Sequence, residues 1–449
     1  METQNLDKLW RQRFTERIGG TDFDAGGDYV FTAMLEAEAR LRQGNKAGEA
    51  DSAVIALSVA DPTDKLDADA LTAGMQYYLR SSDATRYTDL RGARKCAGTI
   101  MTADTNEMIA AAIQRRYNVV TEQHGGLTSD WVQYSSGSIK GLLGKYLPAA
   151  LFEKGGSLIF PSPSYGVIKS PINSAGIQVI DVPLTRSGSC WKFDLAKMAH
   201  VIKESRILMQ SPAYRRFFMY ANVPHNPTGM GYTAIDWRLR IDWAIENDVT
   251  LIVDEAYIDL RYNEKLVSVL QVPGWEKCCV VLQSVSKGWN ATGLRFGYVI
   301  AHPTVIKALR KVMDGKDSGT FAPSIVAGIW CLLHPEITDV TRETYRKRHG
   351  ALAAGLREVG FDSRMPEAGL CQLTPAPKAA GGAEFASVAD CAEWLREKLR
   401  ISTMAVKADN CSWLRWAVTF RPIPECALET EEAVIGEVTR RLSAAKLVF

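Results

Sequence analysis

Lys287 and Arg295 stand eight residues apart in the run SVSKGWNATGLR, which opens at Ser284. A lysine amine condenses with an aldehyde to form a Schiff base, and a guanidinium grips a phosphate through two parallel hydrogen bonds. The pair therefore suits an aldehyde that carries a phosphate. Most lysines are solvated surface charges, so this reading needs the other parts of such a site to occur elsewhere along the chain.

Several candidates do occur. Asp254 ends the apolar run VTLIVD, where a buried carboxylate would keep a pyridine nitrogen protonated by charge pairing. Asn226, in HNPTG, and Tyr257, three residues after Asp254, can donate to a ring oxygen. Gly137-Ser138-Ile139 follows an apolar run and opens a helix, so backbone N–H groups and the helix dipole face an anion there. Ser284 and Arg295 add side-chain donors, and Tyr165 in PSPSY is placed to stack on a ring. Taken singly, each has a plainer reading: a capping Asp, an Asn-Pro turn, packing tyrosines. Together they supply what pyridoxal phosphate asks of a protein: an amine, an acid for the pyridine nitrogen, donors to O3′, a phosphate cup and a flat group against the ring. Arg415 is the one charged residue in the apolar stretch WLRWAVTF. An unpaired buried charge is costly, so either a substrate carboxylate or a structural ion pair must satisfy it; Arg421, just past this stretch, is the rival.

These residues need a scaffold. Short apolar runs are expected as strands at Val54 to Val59, Trp131 to Ser135, Ser157 to Phe160, Ile177 to Pro183, Phe217 to Asn222, Val249 to Asp254, Cys279 to Gln283 and Phe296 to Ala301. Amphipathic stretches at Tyr29 to Leu41, Met108 to Tyr117, Ile139 to Leu147 and Trp237 to Asn247 predict helices. The alternation predicts an α/β fold with a mostly parallel sheet flanked by helices, with the motifs at the C-terminal ends of the strands, where such sheets bind ligands. Beyond residue 320 a long charged helix (Thr338 to Val359), strands near Leu370 to Leu373 and Leu414 to Thr419, and a last helix (Glu429 to Leu442) predict a smaller α+β domain. The expected division is an N-terminal segment at 1–65 packing with the small domain, a large domain at 66–320 and the small domain at 321–449.

Bulk properties exclude some classes. At 46% hydrophobic and 23% charged, with net charge +2, the 449 residues advertise neither nucleic-acid nor membrane binding. The N-terminal residues lack the apolar core of a signal peptide. Nine scattered cysteines without a CxxC pair fit reduced thiols in the cytoplasm, and six scattered histidines without HExxH give a metal site little support.

The motifs together resemble the fold-type I, class I/II aminotransferases, the aspartate aminotransferase family. HNPTG resembles the family's Asn box (Asn226), DEAY its Asp-x-x-Tyr box (Asp254, Tyr257), SVSK followed by TGLRFG its Schiff-base lysine box (Ser284, Lys287, Arg295), and PSPSY its ring-stacking segment (Tyr165). Tyr87-Thr88 followed by Gly92 resembles the element whose tyrosine reaches the phosphate of the neighbouring subunit, and LRWAVTF the strand whose arginine binds the substrate α-carboxylate (Arg415). The resemblance implies a homodimer with sites at the interface, and transfer of an amino group between an L-amino acid and a 2-oxo acid. The same scaffold also hosts elimination or replacement, cyclisation, decarboxylation and oxidative deamination; a third reading, a non-catalytic sensor, would put a DNA-binding domain ahead of this fold, and the segment before Val54 is expected to be too short and too weakly basic for one. Four departures bear on the substrate pocket: Ala60-Asp61-Pro62 where Gly-x-Pro is usual, Val223 and His225 ahead of the Asn box, a longer stretch from Ala93 to Glu107, and Trp289 two residues past the lysine.

Overall fold

The computed structural model describes residues 32–64, 72, 75, 76, 79, 80, 101–119, 121, 125–152, 156–187, 190–208, 217–317, 319–408 and 411–449. Tyr87, Thr88, Gly92 and the stretch 93–100 lie outside them.

A seven-stranded sheet forms the centre. Its strands are β1 (Val132–Ser136), β2 (Ser157–Ser162), β3 (Gln178–Pro183), β4 (Phe217–Asn222), β5 (Val249–Asp254), β6 (Cys279–Ser284) and β7 (Phe296–Ile300). Their order across the sheet is β1-β7-β6-β5-β4-β2-β3. Neighbours from β6 to β3 run parallel, and β7 alone runs antiparallel to both its neighbours. Every residue of β4 and β6 is buried, as expected of strands covered by helices on both faces. One apolar cluster fills one side of the sheet (Trp237, Val253, Val281, Ile325) and a second fills the other (Leu142, Tyr220, Ile252, Leu282).

This topology brings the chemistry to one edge. β1, β2, β4, β5 and β6 point the same way, so Asp254 ends its strand and Gly137, Tyr165, Asn226 and Lys287 follow theirs, all at one edge. β7 runs the other way, so its start, and Arg295 just before it, falls at that same edge. Gly297 pairs with both Ser135 and Ser284, and a Cβ on it would come 3.0 Å from the Ser138 Cα. Only glycine lets the turn after β1 sit this close.

A three-stranded antiparallel sheet of β8 (Cys371–Pro375), β9 (Met404–Ala408) and β10 (Cys411–Ala417), with β10 in the middle, carries Arg415. Its core joins Leu414, Trp416 and Val418 to Tyr345, Leu352 and Leu395, and takes in Ala53, Ile55 and Leu57. Of the expected strand Val54 to Val59, only Ile55–Ala56 pairs, in parallel with Ile401–Ser402. The helix Ala322–Leu333, missing from the sequence-based expectations, buries Ile325, Ile329 and Cys331 in the core of the large sheet. The helix expected from Ile139 to Leu147 is instead an α-turn, Ser138–Gly141, a π-helical segment, Leu142–Tyr146, and a second α-turn, Leu147–Ala150. Gly141, Gly144 and Pro148 make this segment a weak regular helix.

The long helix Glu336–Glu358 fastens the loop after Ala60. Arg348, on this helix and buried, donates to Asp64 at 3.2 and 3.0 Å and to Glu431 at 2.9 and 2.5 Å. Tyr345 accepts from the Thr63 N–H at 3.4 Å and donates to Asn290 at 3.2 Å, tying that loop to the turn after Lys287. Replacing Arg348 with Met leaves two carboxylates without their cation. The R348M variant is expected to lose about 2 kcal/mol of stability in urea unfolding.

Candidate active site

One cavity of about 320 Å³ lies at the sheet edge, between the two sheets. Lys287, Asp254, Tyr257, Ser138, Ile139, Tyr165, Asn226, Ser284, Arg295, Arg415 and Ala60 all line it. Gly137, with φ 79°, forms the turn leading into Ser138. Of the residues expected at the site, Tyr87 alone lies outside the described residues.

The floor is polar. Asp254 is 4% exposed. The Tyr220 hydroxyl donates to its Oδ2 at 2.6 Å and the Ala256 N–H to its Oδ1 at 3.0 Å. Burial pushes the carboxyl up to about 6, against the pull of these two donors. No cation touches it among the described residues. Asn222, opposite Asp254 in the register of β4 and β5, donates to the Asp254 carbonyl at 3.1 Å and accepts from the Asn226 N–H at 2.8 Å. Asn226 in turn donates to the Tyr257 hydroxyl oxygen at 3.4 Å. The peptide bonds before Pro224 and Pro227 are both cis.

One end of the cavity is built from three turns. Arg295 donates to the carbonyls of Thr292 and Gly137, each at 2.9 Å, and its side chain is exposed at the rim. Ser138 and Ser286 lie 3.4 Å apart, oxygen to oxygen. Lys287 donates to the Ala60 carbonyl at 2.9 Å and to Asp61 Oδ1 at 3.3 Å. Burial lowers the Lys287 pKa, and Asp61 works against that.

Arg415 is 5% exposed. One terminal nitrogen donates to the Ser58 carbonyl, the other to Asn226 Oδ1 at 3.4 Å, and Nε has no partner. No carboxylate pairs with it among the described residues, and the guanidinium lines the cavity. Arg421 is exposed and stands outside this cavity.

Two of the departures expected to reshape the pocket, three residues in all, lie elsewhere. Trp289 is 1% exposed, bonds to the His334 carbonyl at 3.0 Å and carries Arg116 over its ring at 5.0 Å. Val223 is core. His225 bonds Thr228 at 2.8 Å, and burial pulls its pKa down to about 3, which keeps it neutral. None of the three lines the cavity. Sequence reasoning missed Tyr220, Asn222, Ser286 and the side chain of Asp61. The first two had a signal: in FFMYAN the period of a strand puts Phe218, Tyr220 and Asn222 on one face, and a tyrosine and an asparagine there need polar partners.

A model of the aminotransferase class I and II family matches residues 52–421. The chain belongs to that family. It is accordingly a pyridoxal-phosphate-dependent aminotransferase, acting between amino acids and 2-oxo acids. Among curated relatives it is similar to the LL-diaminopimelate aminotransferase of Methanococcus maripaludis, 28% identical over 99% of this chain and 100% of the relative. It is also similar to that of Methanocaldococcus jannaschii, 33% identical over 68% of this chain and 71% of the relative. The fold is that of the aspartate aminotransferase of Rhizobium meliloti, with a TM-score of 0.76, 19% identity and coverage of 97% and 99% of the two chains. Among the described residues no helix is long and apolar enough to cross a membrane.

The residues present fit the cofactor. A buried carboxylate held short of a cation suits a pyridine nitrogen, and the amine and the serine- and arginine-lined turns suit an aldehyde and a phosphate. The Asp254 carboxyl has a pKa above its unfolded value, so the folded, cofactor-free protein binds more protons between about pH 4 and pH 6. Stability therefore falls as pH rises through that window, and the full cost, about 3 kcal/mol, stands above it. Cofactor-free D254N is expected to be more stable than cofactor-free wild type near pH 8 by up to this amount. The difference should shrink towards about pH 5, as read by urea unfolding at both pH values.

Proposed function

We propose that Lys287 is the amine that bonds the cofactor and moves the substrate proton, and that the amino donor is a diamino dicarboxylic acid of the LL-diaminopimelate kind. The observation that carries the site assignment is the meeting of a lysine amine, a proton-hungry buried carboxylate and two guanidiniums in one cavity of about 320 Å³. The substrate reading is supported by the full-length similarity to a protein of that named activity.

When bound, pyridoxal phosphate supplies an aldehyde and a ring that accepts electrons from the substrate Cα. The chain's own residues do the rest. Asp254, oriented by Tyr220, would pair with the pyridine nitrogen and keep it protonated. Asn226 and Tyr257 would serve the ring oxygen, Tyr165 would pack against the ring, and Gly137, Ser138, Ile139, Ser284 and Arg295 would hold the phosphate. Arg415 binds the α-carboxylate and fixes the direction of the Cα–H bond. Lys287, once free, takes that proton at Nζ and returns it, acting first as base and then as acid. We further propose a cytoplasmic homodimer in which Tyr87 of one subunit reaches the phosphate held by the other. The exposed position of Arg295 at the rim supports this arrangement, and Cys278, Cys279, Cys331, Cys371, Cys391, Cys411 and Cys426 are free thiols.

A panel of amino acids, followed by mass spectrometry of the oxo-acid products, tests the substrate. LL-diaminopimelate is expected to react fastest, and no oxo acid from any donor would overturn the reading. R415A is expected to lose about 100-fold in kcat/KM, about 3 kcal/mol, with the cofactor still bound. K287A is expected to lose the visible absorption band of the bound cofactor, recorded in a spectrophotometer.

A further inference from the structure

The Lys287 amine meets two atoms of a single loop, the Ala60 carbonyl and the Asp61 carboxylate. The loop is held on both sides. Before Asp61, Arg415 and Thr419 bond the carbonyls of Ser58 and Val59; after it, Tyr345 and Arg348 bond Thr63 and Asp64. Asp61 is therefore presented by a fixed backbone. Its side chain is 56% exposed, and Lys287 is its one ion-pair partner among the described residues.

We propose that Asp61 is a positioning residue that docks the Lys287 amine whenever that amine is not bonded to the cofactor, and so governs how readily it gives up its proton. The proposal rests on the reading of Lys287 as the cofactor-bonding lysine. The groups facing the amine are Asp61 from this loop, Cys371 from β8 and Arg295 from the turn before β7. Asp254, Tyr257, Arg415 and Lys140 line the same cavity. Burial and Arg295 favour the neutral amine, and Asp61 favours the ammonium. A protonated lysine can neither attack an aldehyde nor take a proton from carbon. Asp61 thus delays capture of the cofactor, and in turnover it steadies the proton on Nζ between the two transfers. Ala60 contributes only a backbone carbonyl, so a side chain in the family's Gly position leaves this contact intact.

The test is pulse acetylation of the cofactor-free protein by acetic anhydride across a pH series, with modification of Lys287 counted by mass spectrometry. Asp61→Asn is expected to move the midpoint of Lys287 labelling down by about one pH unit, the scale of one charge at this distance near water. Asp61→Glu is expected to restore it, and kcat of the loaded D61N enzyme to fall with KM little changed. The same midpoint in D61N and wild type would overturn the proposal. Adding pyridoxal phosphate must protect Lys287 from labelling in the wild type. Failure there would overturn the lysine assignment itself, which is a separate result from an unmoved midpoint.

Discussion

A carboxylate buried at the end of a central strand, with one hydroxyl and one amide N–H as its partners, is the constraint on which the rest of the site depends. Asp254 cannot retreat, because β5 is covered on both faces and its register with β4 is fixed over six residue pairs. It cannot relax into water either, so it waits at a raised pKa for a positive partner. Tyr220 aims it, and Tyr220 is itself stacked on Phe160 with the rings 4° from parallel. Three neighbouring strands, β2, β4 and β5, thus cooperate to orient a single carboxylate.

The second half of the site comes from the other sheet and from the loop that crosses to it. Arg415 on β10 reaches back to Ser58 and to Asn226, one on the N-terminal loop and one on the turn after β4. Tyr345 and Arg348, on one long helix, fasten the loop after Asp61, and Tyr345 also bonds Asn290 in the lysine turn. The substrate-side loop, the lysine turn and the arginine strand are therefore one connected body of hydrogen bonds. A change in any of them is expected to be felt at Lys287 without direct contact.

Much of this was legible because parallel sheets write themselves plainly. The runs at Phe217 to Asn222 and Val249 to Asp254 have the bounds the sequence suggests, since strands buried on both faces are continuous apolar runs ended by the polar residues they deliver. Lys287, Asp254 and Arg295 stood out only in combination, as an amine, an acid and a phosphate grip in one order along the chain, whereas Arg415 stood out alone as a charge within an apolar run. The parts that were not legible are those set by long-range packing. Trp289 sits two residues from the lysine, and only the tertiary structure turns it towards His334 and Arg116 instead of the cavity. Ile55–Ala56 is a strand by composition, but its partner, Ile401–Ser402, lies some 350 residues away. Ser286 and the side chain of Asp61 carry no local pattern; what makes them part of the site is where β6 and the loop end.

The central claim is that the cofactor is bonded to Lys287 and to no other amine. The most direct measurement is borohydride reduction of the cofactor-loaded enzyme, followed by proteolysis and mapping of the peptide that carries the phosphopyridoxyl mass. The account predicts that mass on the peptide containing Lys287, with the label fixed on that side chain. A label on another lysine, or none after reduction of an enzyme that is active, would contradict it.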